Sequence, residues 1–358
     1  MCVVYPHILH VLQMASLSEV GTFLCVFTAF VVMPCVWFMR RVLAKKPQRI
    51  VIDTDIGDDI DDALAVLLAV VLHKLGTVEI VAVLTAGAGN HQVRARLVRK
   101  LVVAVLGTCS VPIIAGRSRE GTSKGNYMRC GYYVYAERFP TLGEKEKKWL
   151  QTVLREGHEA GQQVLFLCIG PLDNLRYIDP PAETFRLVLM GGCFGRFFDG
   201  QTAPDEFPEY NVAHGVDDWR WAITKYDANT LIVPLDIAGE CRFDEWSRVL
   251  ESCPYYAYRD MYRTWYNSPA LQGSRILAGT NGGRLSSIQF DACALFVALH
   301  PEIADIQTHG VVVTDIGVTK KVTDGRLFPI RVALGWKDQQ ARSRFDAEVL
   351  SLLQQKII

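Results

Sequence analysis

The chain has 358 residues, with 38 basic and 38 acidic side chains and a formal net charge of zero. That length suits one large α/β domain or two smaller ones, and the balanced charge gives no reason to expect a nucleic-acid partner. Its ten cysteines form no Cys-x-x-Cys pair or zinc spacing, and no proline-free Asn-x-Ser/Thr sequon occurs, so a reduced, cytosol-facing domain fits.

Residues 20–39 carry no charge, which is the length a helix needs to cross a bilayer. Arg40, Arg41, Lys45 and Lys46 follow at once, and no Lys or Arg precedes the run. A secretory signal peptide places its basic residues first, so this order argues for a single-pass membrane anchor. The rest of the chain then faces the cytoplasm, a soluble cytoplasmic protein being the alternative. The expected organisation is a tail over 1–47, with the spanning helix at 20–39 and a basic linker, and one folded domain over 48–358.

That domain opens with a short apolar strand pattern at 49–53, which runs into Asp53-Thr-Asp55-Ile-Gly57-Asp58-Asp59-Ile-Asp61-Asp62. Six carboxylates in ten positions repel one another, and an Asp-rich turn capping the next helix needs only one or two. A cluster of this kind suits a hard cation such as Ca²⁺ or Mg²⁺, for which Asp oxygens are the preferred ligands.

A helix follows at 63–75, then a strand at 78–85 ending in Ala86-Gly-Ala-Gly-Asn90, and a helix to 106 with Arg94, Arg96, Arg99 and Lys100 on it. A strand at 111–115 precedes an aperiodic stretch at 117–135 with several glycines, which reads as a lid or binding loop. A charged helix at 144–159 leads to apolar strands at 164–169, 187–190 and 231–235, ending at Gly170, Gly191 and Asp236. Helices at 255–266 and 291–299 and strands at 311–314 and 330–332 complete the pattern. Strands alternating with helices predict an α/β fold, an open, mostly parallel sheet flanked by helices, with ligands at the strands' carboxyl ends.

Together these strand ends resemble the inosine–uridine-preferring nucleoside hydrolase family over residues 48–345. The motifs are Asp53-Thr-Asp55-Ile-Gly57 with Asp61-Asp62-Ala-Leu-Ala, Gly89-Asn90, Val111-Pro-Ile-Ile-Ala-Gly116 and Ile169-Gly-Pro-Leu-Asp-Asn174. Met190-Gly-Gly192, Glu209-Tyr-Asn211 and Asp291-Ala-Cys-Ala294 complete the ordered set. The resemblance implies hydrolysis of the N-glycosidic bond of a ribonucleoside, or a related ribosyl compound, through an oxocarbenium-like sugar. It implies a Ca²⁺ ion that holds the attacking water, with Asp55, Asp62, Asp291 and the Ile169 carbonyl as ligands and Asp55 also as general base.

By the same resemblance Asp61, Asn90, Met190, Glu209 and Asn211 contact the ribose, and Asp53 and Asn174 support the loop. The family motif is two residues shorter between Gly57 and the Asp pair. A register using Asp59 instead of Asp61-Asp62 therefore stays open, though Ala63-Leu-Ala65 favours Asp62. Purine-active members often carry a leaving-group His directly before the Asp matched by Asp291, where this chain has Phe290. Tyr262 and Tyr266, one helical turn apart, are the expected leaving-group donors, with a core role as their alternative. The rival to an enzyme is a membrane-tethered module that binds ribosyl ligands without turnover. Oligomeric state, homo-oligomer or monomer, stays open.

Overall fold

The computed structural model describes residues 46–117, 130, 138–268, 284–322 and 329–355. The proposed spanning helix at 20–39 lies outside them, as does nearly all of the expected loop at 117–135. No helix among the described residues is long and apolar enough to cross a membrane.

Strand β1 (Gln48–Thr54) pairs in parallel with β2 (Val78–Thr85) on one side and with β4 (Val164–Cys168) on the other, and β2 pairs with β3 (Ile113–Ile114). Beyond β4 the parallel run continues through β5 (Phe185–Met190), β6 (Thr230–Val233) and β9 (Pro329–Trp336). Two antiparallel strands, β7 (Ala304–Val313) and β8 (Thr319–Val322), finish the edge, giving the order β3-β2-β1-β4-β5-β6-β9-β7-β8. The mostly parallel sheet is therefore as expected.

Side chains on successive strand positions point to opposite faces, and the two cores follow that rule. Ile50, Ile52, Leu165, Leu167, Leu231 and Val233 pack with α1 (Asp61–Lys74), α2 (His91–Leu106) and the later helices α9 (Tyr256–Tyr266) and α10 (Phe290–Leu299). Val51, Phe166, Cys168, Leu187 and Ile232 pack on the other face with α3 (Glu144–Glu159), α4 (Asp173–Ile178) and α6 (Val216–Tyr226). Helix α1 is buried from Asp61 to Leu72 and α10 from Phe290 to Ala298, which is why both read as nearly uninterrupted apolar runs. A short α5 (Tyr210–Ala213), α7 (Leu235–Ala238), α8 (Trp246–Ser252) and the terminal α11 (Gln339–Gln354) complete the helices named here.

The differences from expectation have local causes. Strand β6 stops at Val233 because Pro234 follows, which has no N–H for a ladder, and α7 begins directly after it. Strand β7 is longer than the apolar stretch at 311–314, because its first half carries exposed polar residues such as Gln307 and Thr308 at an edge.

Candidate active site

The chain leaves β1 toward β2 and β3 on one side, then returns to β4 on the other, so the winding reverses between β1 and β4. A crevice opens at the carboxyl ends of strands where the winding reverses. The acidic segment follows β1 there, and its last two acids fall in the first turn of α1, while Asp291 falls in the first turn of α10. Helix N-termini favour negative charge. The sequence-level alternative of a capping turn does not account for the pair, because Ile60 is the N-cap of α1 and no side chain caps it.

Carboxylate oxygens of Asp61, Asp62 and Asp291 lie within 4.8 Å of one another, and all three residues are buried. Burial pushes all three well above the usual carboxylate range, and mutual repulsion, with Asp55 also acting on each, pushes the same way. Asp55 is raised to about 7, first by burial and then against the opposing pull of Arg94. Thr54 donates its hydroxyl to Asp62 Oδ1 and orients that carboxylate. The tight triad thus includes Asp61, the acid that the family resemblance assigns to the sugar, whereas Asp55 lines the same cavity beside it. Asp59 lies outside the triad, with Oδ1 accepting from Ile60 N at 2.7 Å, and lines the cavity together with Asp58.

The loop is held in place by a buried cation from α2. Arg94, fully buried, donates to the carbonyls of Asp55, Ile56 (2.9 Å) and Ala88, and its Nη2 lies 2.8 Å from Asp58 Oδ2. The inserted Asp58 therefore has a structural partner that was not assigned from sequence. Behind the loop, Asn174 Nδ2 donates to Asp53 Oδ1 (2.8 Å) and to the Thr85 carbonyl (2.9 Å), tying the ends of β1 and β2 together as support, not chemistry. A Cβ at Gly170 would stand 2.7 Å from Asp55 Oδ1 and 3.0 Å from its backbone N, so only glycine lets β4's end approach Asp55 this closely.

Of the expected sugar-contacting residues, Met190, Glu209 and Asn211 line the cavity with the acids, as does Ile169. Glu209 caps α5, accepting from Asn211 N, Val212 N and Gly192 N at 3.1 Å each, and Asn211 Nδ2 donates to the Met190 carbonyl at 3.2 Å. Asn90 stands apart from them. It is exposed, its side-chain oxygen accepts from Gln92 N and Val93 N at the start of α2, and it is not among the cavity's lining residues. A short polar side chain before a helix takes this capping role readily.

The two tyrosines also stand apart. Tyr262 is buried among Trp246, Tyr258 and Trp265, with ring centroids 5.7–6.3 Å away, and Tyr266 stacks on Tyr262 at 6.2 Å with its other side exposed. Neither is among the cavity's lining residues, and aromatic packing occupies both rings.

The cavity has a volume of about 480 Å³, within the range of small-molecule sites. Its triad carboxylates are buried, and it is also walled by Phe198, Phe207, Phe290, Tyr210 and His214, of which Tyr210 and His214 are exposed. A family model described as inosine-uridine preferring nucleoside hydrolase matches residues 50–350. The chain belongs to this family. Its members' chemistry makes it an N-glycosyl hydrolase of the nucleosidase type.

A plant nucleoside hydrolase structure is 18% identical with a TM-score of 0.64, covering 87% of this chain and 100% of its own. The inosine-uridine preferring nucleoside hydrolase from Bacillus anthracis is 16% identical with a TM-score of 0.62, over 86% and 99%. The type III effector protein XopQ, solved with adenosine diphosphate ribose, is 14% identical with a TM-score of 0.60, over 90% and 98%. At these identities the likeness carries the fold alone. No curated protein matches the chain in sequence.

For a nucleoside hydrolase the unforeseen part of the site is its aromatic wall. Phe198 packs edge-on against Phe290 (5.9 Å) and Phe207 (6.1 Å), and Asp236 holds the loop that carries Phe198 by accepting from Phe194 N and Arg196 N. The ring of His214 lies 4.0 Å from that of Tyr210. Of these residues, Phe207 and His214 lie outside the helices and strands, where there is no periodicity to read. The available signal was Glu209-Tyr-Asn211 itself, since a residue three positions on returns to the same side of a helical turn.

Proposed function

We propose that this protein hydrolyses the N-glycosidic bond of a ribonucleoside to ribose and free base in a Ca²⁺-dependent reaction. The observation that carries this is the buried Asp61–Asp62–Asp291 triad opening into a nucleoside-sized cavity at the sheet's switch point. Three buried carboxylates pushed far above their ordinary range are stable as anions only with a counter-charge. The donor set is all oxygen, with no His or Cys in the cluster, which fits a hard cation such as Ca²⁺. Asp55, Asp62 and Asp291 would hold it with the Ile169 carbonyl, and Asp61 is near enough to share it. Such an ion supplies Lewis acidity and a fixed positive charge.

The chain's own groups perform the remaining work. Asp55, raised to about 7, suits a general base that takes a proton from the attacking water near neutral pH. Glu209 and Asn211 are held rigid by backbone partners, so they can orient ribose hydroxyls without reorganising. Met190 and the phenylalanine rings exclude water around a planar base.

Incubating the purified protein with a panel of nucleosides and Ca²⁺, and measuring free ribose, tests this. Release that disappears with EDTA and returns with Ca²⁺ is expected. A ribosyl-binding module is the second reading, motivated by Phe290 at the position where the family often has its leaving-group His. Stoichiometric Ca²⁺ and ligand binding with no ribose released from any nucleoside would establish that module instead. We also infer that residues 20–39 anchor the domain to a membrane with its catalytic part in the cytoplasm, on their apolar length and the basic residues after them. Retention of the full chain in the pellet after alkaline carbonate extraction is expected, and release to the supernatant would remove the anchor.

A further inference from the structure

Cleaving a bond between ribose and a base nitrogen leaves the base with the bonding electron pair, so the reaction needs a proton donor on the base side of the cavity. Phe290 has no proton to give, and Tyr262 and Tyr266 do not line the cavity. Among the lining residues the carboxylates occupy the buried end, where the ribose chemistry lies. Of the exposed lining residues, His214 carries an imidazole, a group that can both donate and accept a proton. We propose that His214 is the acid that protonates the departing base, an inference that rests on the nucleosidase reading above.

The local geometry suits that task. Nδ1 of His214 lies 2.9 Å from the carbonyl oxygen of Tyr210, one turn back along the chain. A carbonyl only accepts, so Nδ1 carries the hydrogen and Nε2 is the nitrogen that gains and loses a proton. The ring is also oriented by Tyr210, with centroids 4.0 Å apart and planes at 32°. Phe198, Phe207 and Phe290 complete a wall against which a planar base can stack while its edge meets His214.

In the step proposed, the bond from the anomeric carbon to the base nitrogen breaks and its electron pair stays with the base. The base takes a proton from imidazolium Nε2, leaving neutral imidazole. Water adds its hydroxyl to the anomeric carbon and gives its remaining proton to Asp55. His214 is exposed and regains a proton from solvent, while Asp55 releases one, so the sum is one water consumed.

The test compares two leaving groups. A nucleoside base must be protonated to depart, whereas 4-nitrophenyl β-D-ribofuranoside releases a stable phenolate without that help. In full-length protein, His214→Ala and His214→Gln should lose at least ~100-fold more kcat/KM toward the nucleoside than toward the nitrophenyl riboside, as loss of a general acid predicts. Equal losses on both substrates would reassign His214 to shaping the wall, and no loss on either would remove it from the reaction. If the parent protein hydrolyses neither compound, the nucleosidase reading itself fails, an outcome the two variants cannot mimic.

Discussion

At the residue scale, the acids of one short segment have separate jobs. Asp62 shares the triad with Asp61 and Asp291 and is oriented by Thr54, whereas Asp59 bonds to the neighbouring Ile60 N. Asp62→Ala should abolish Ca²⁺ binding in titration calorimetry and lower kcat/KM at least ~100-fold, while Asp59→Ala should keep Ca²⁺ stoichiometry. The opposite pattern would move the ligand register to Asp59. Gly170→Ala should bind Ca²⁺ weakly and turn over slowly, because the added methyl group meets Asp55 at 2.7 Å. The sequence motifs name Asp55, Asp62, Glu209, Asn211 and Asp291 without reference to distant partners, and the fold brings all five around one cavity. Asn90 and the tyrosines lie outside that lining, and their surroundings, a helix start and an aromatic core, are set by tertiary packing that motifs do not show.

At the element scale, α2 clamps the acidic loop through Arg94. Its basic residues read as one group in sequence, yet Arg94 is fully buried and satisfies carbonyls of the loop as well as Asp58. Removing one partner of a buried ion pair leaves the other uncompensated. Arg94→Met should therefore cost about 3–5 kcal/mol in urea unfolding and lower kcat even in saturating Ca²⁺. Wild-type stability in that variant would show that the loop holds itself. Most helices and strands were legible because α1, α10 and β4 are long apolar runs with sharp ends. Others, such as α6 and α11, escaped because amphipathic segments with mixed polar faces show a weaker pattern.

At the scale of the whole molecule, the raised carboxylates link stability to pH and to metal. A carboxylate whose folded pKa exceeds its unfolded value binds more protons when folded, so these groups' contribution to metal-free stability is fully present below the unfolded value of about 4. That advantage is lost as pH rises through the folded values, Asp55's being about 7. In EDTA the melting temperature should be higher at pH 5 than at pH 8. Saturating Ca²⁺ at pH 8 should restore stability, by about 2.7 kcal/mol at a hundredfold excess over Kd. An unchanged melting temperature across both comparisons would mean that the acids are not neutralised together.

The sheet order carries a consequence for how the protein is made. Asp55, Asp61 and Asp62 leave the ribosome early, while Asp291 arrives on a helix that packs against α1 only after six parallel strands have been synthesised. Until then the nascent chain holds a crowd of acids without the carboxylate that completes their cage. The three-carboxylate cluster can therefore close only once Asp291 has been made, and a chain interrupted before Phe290 would carry the loop acids without it.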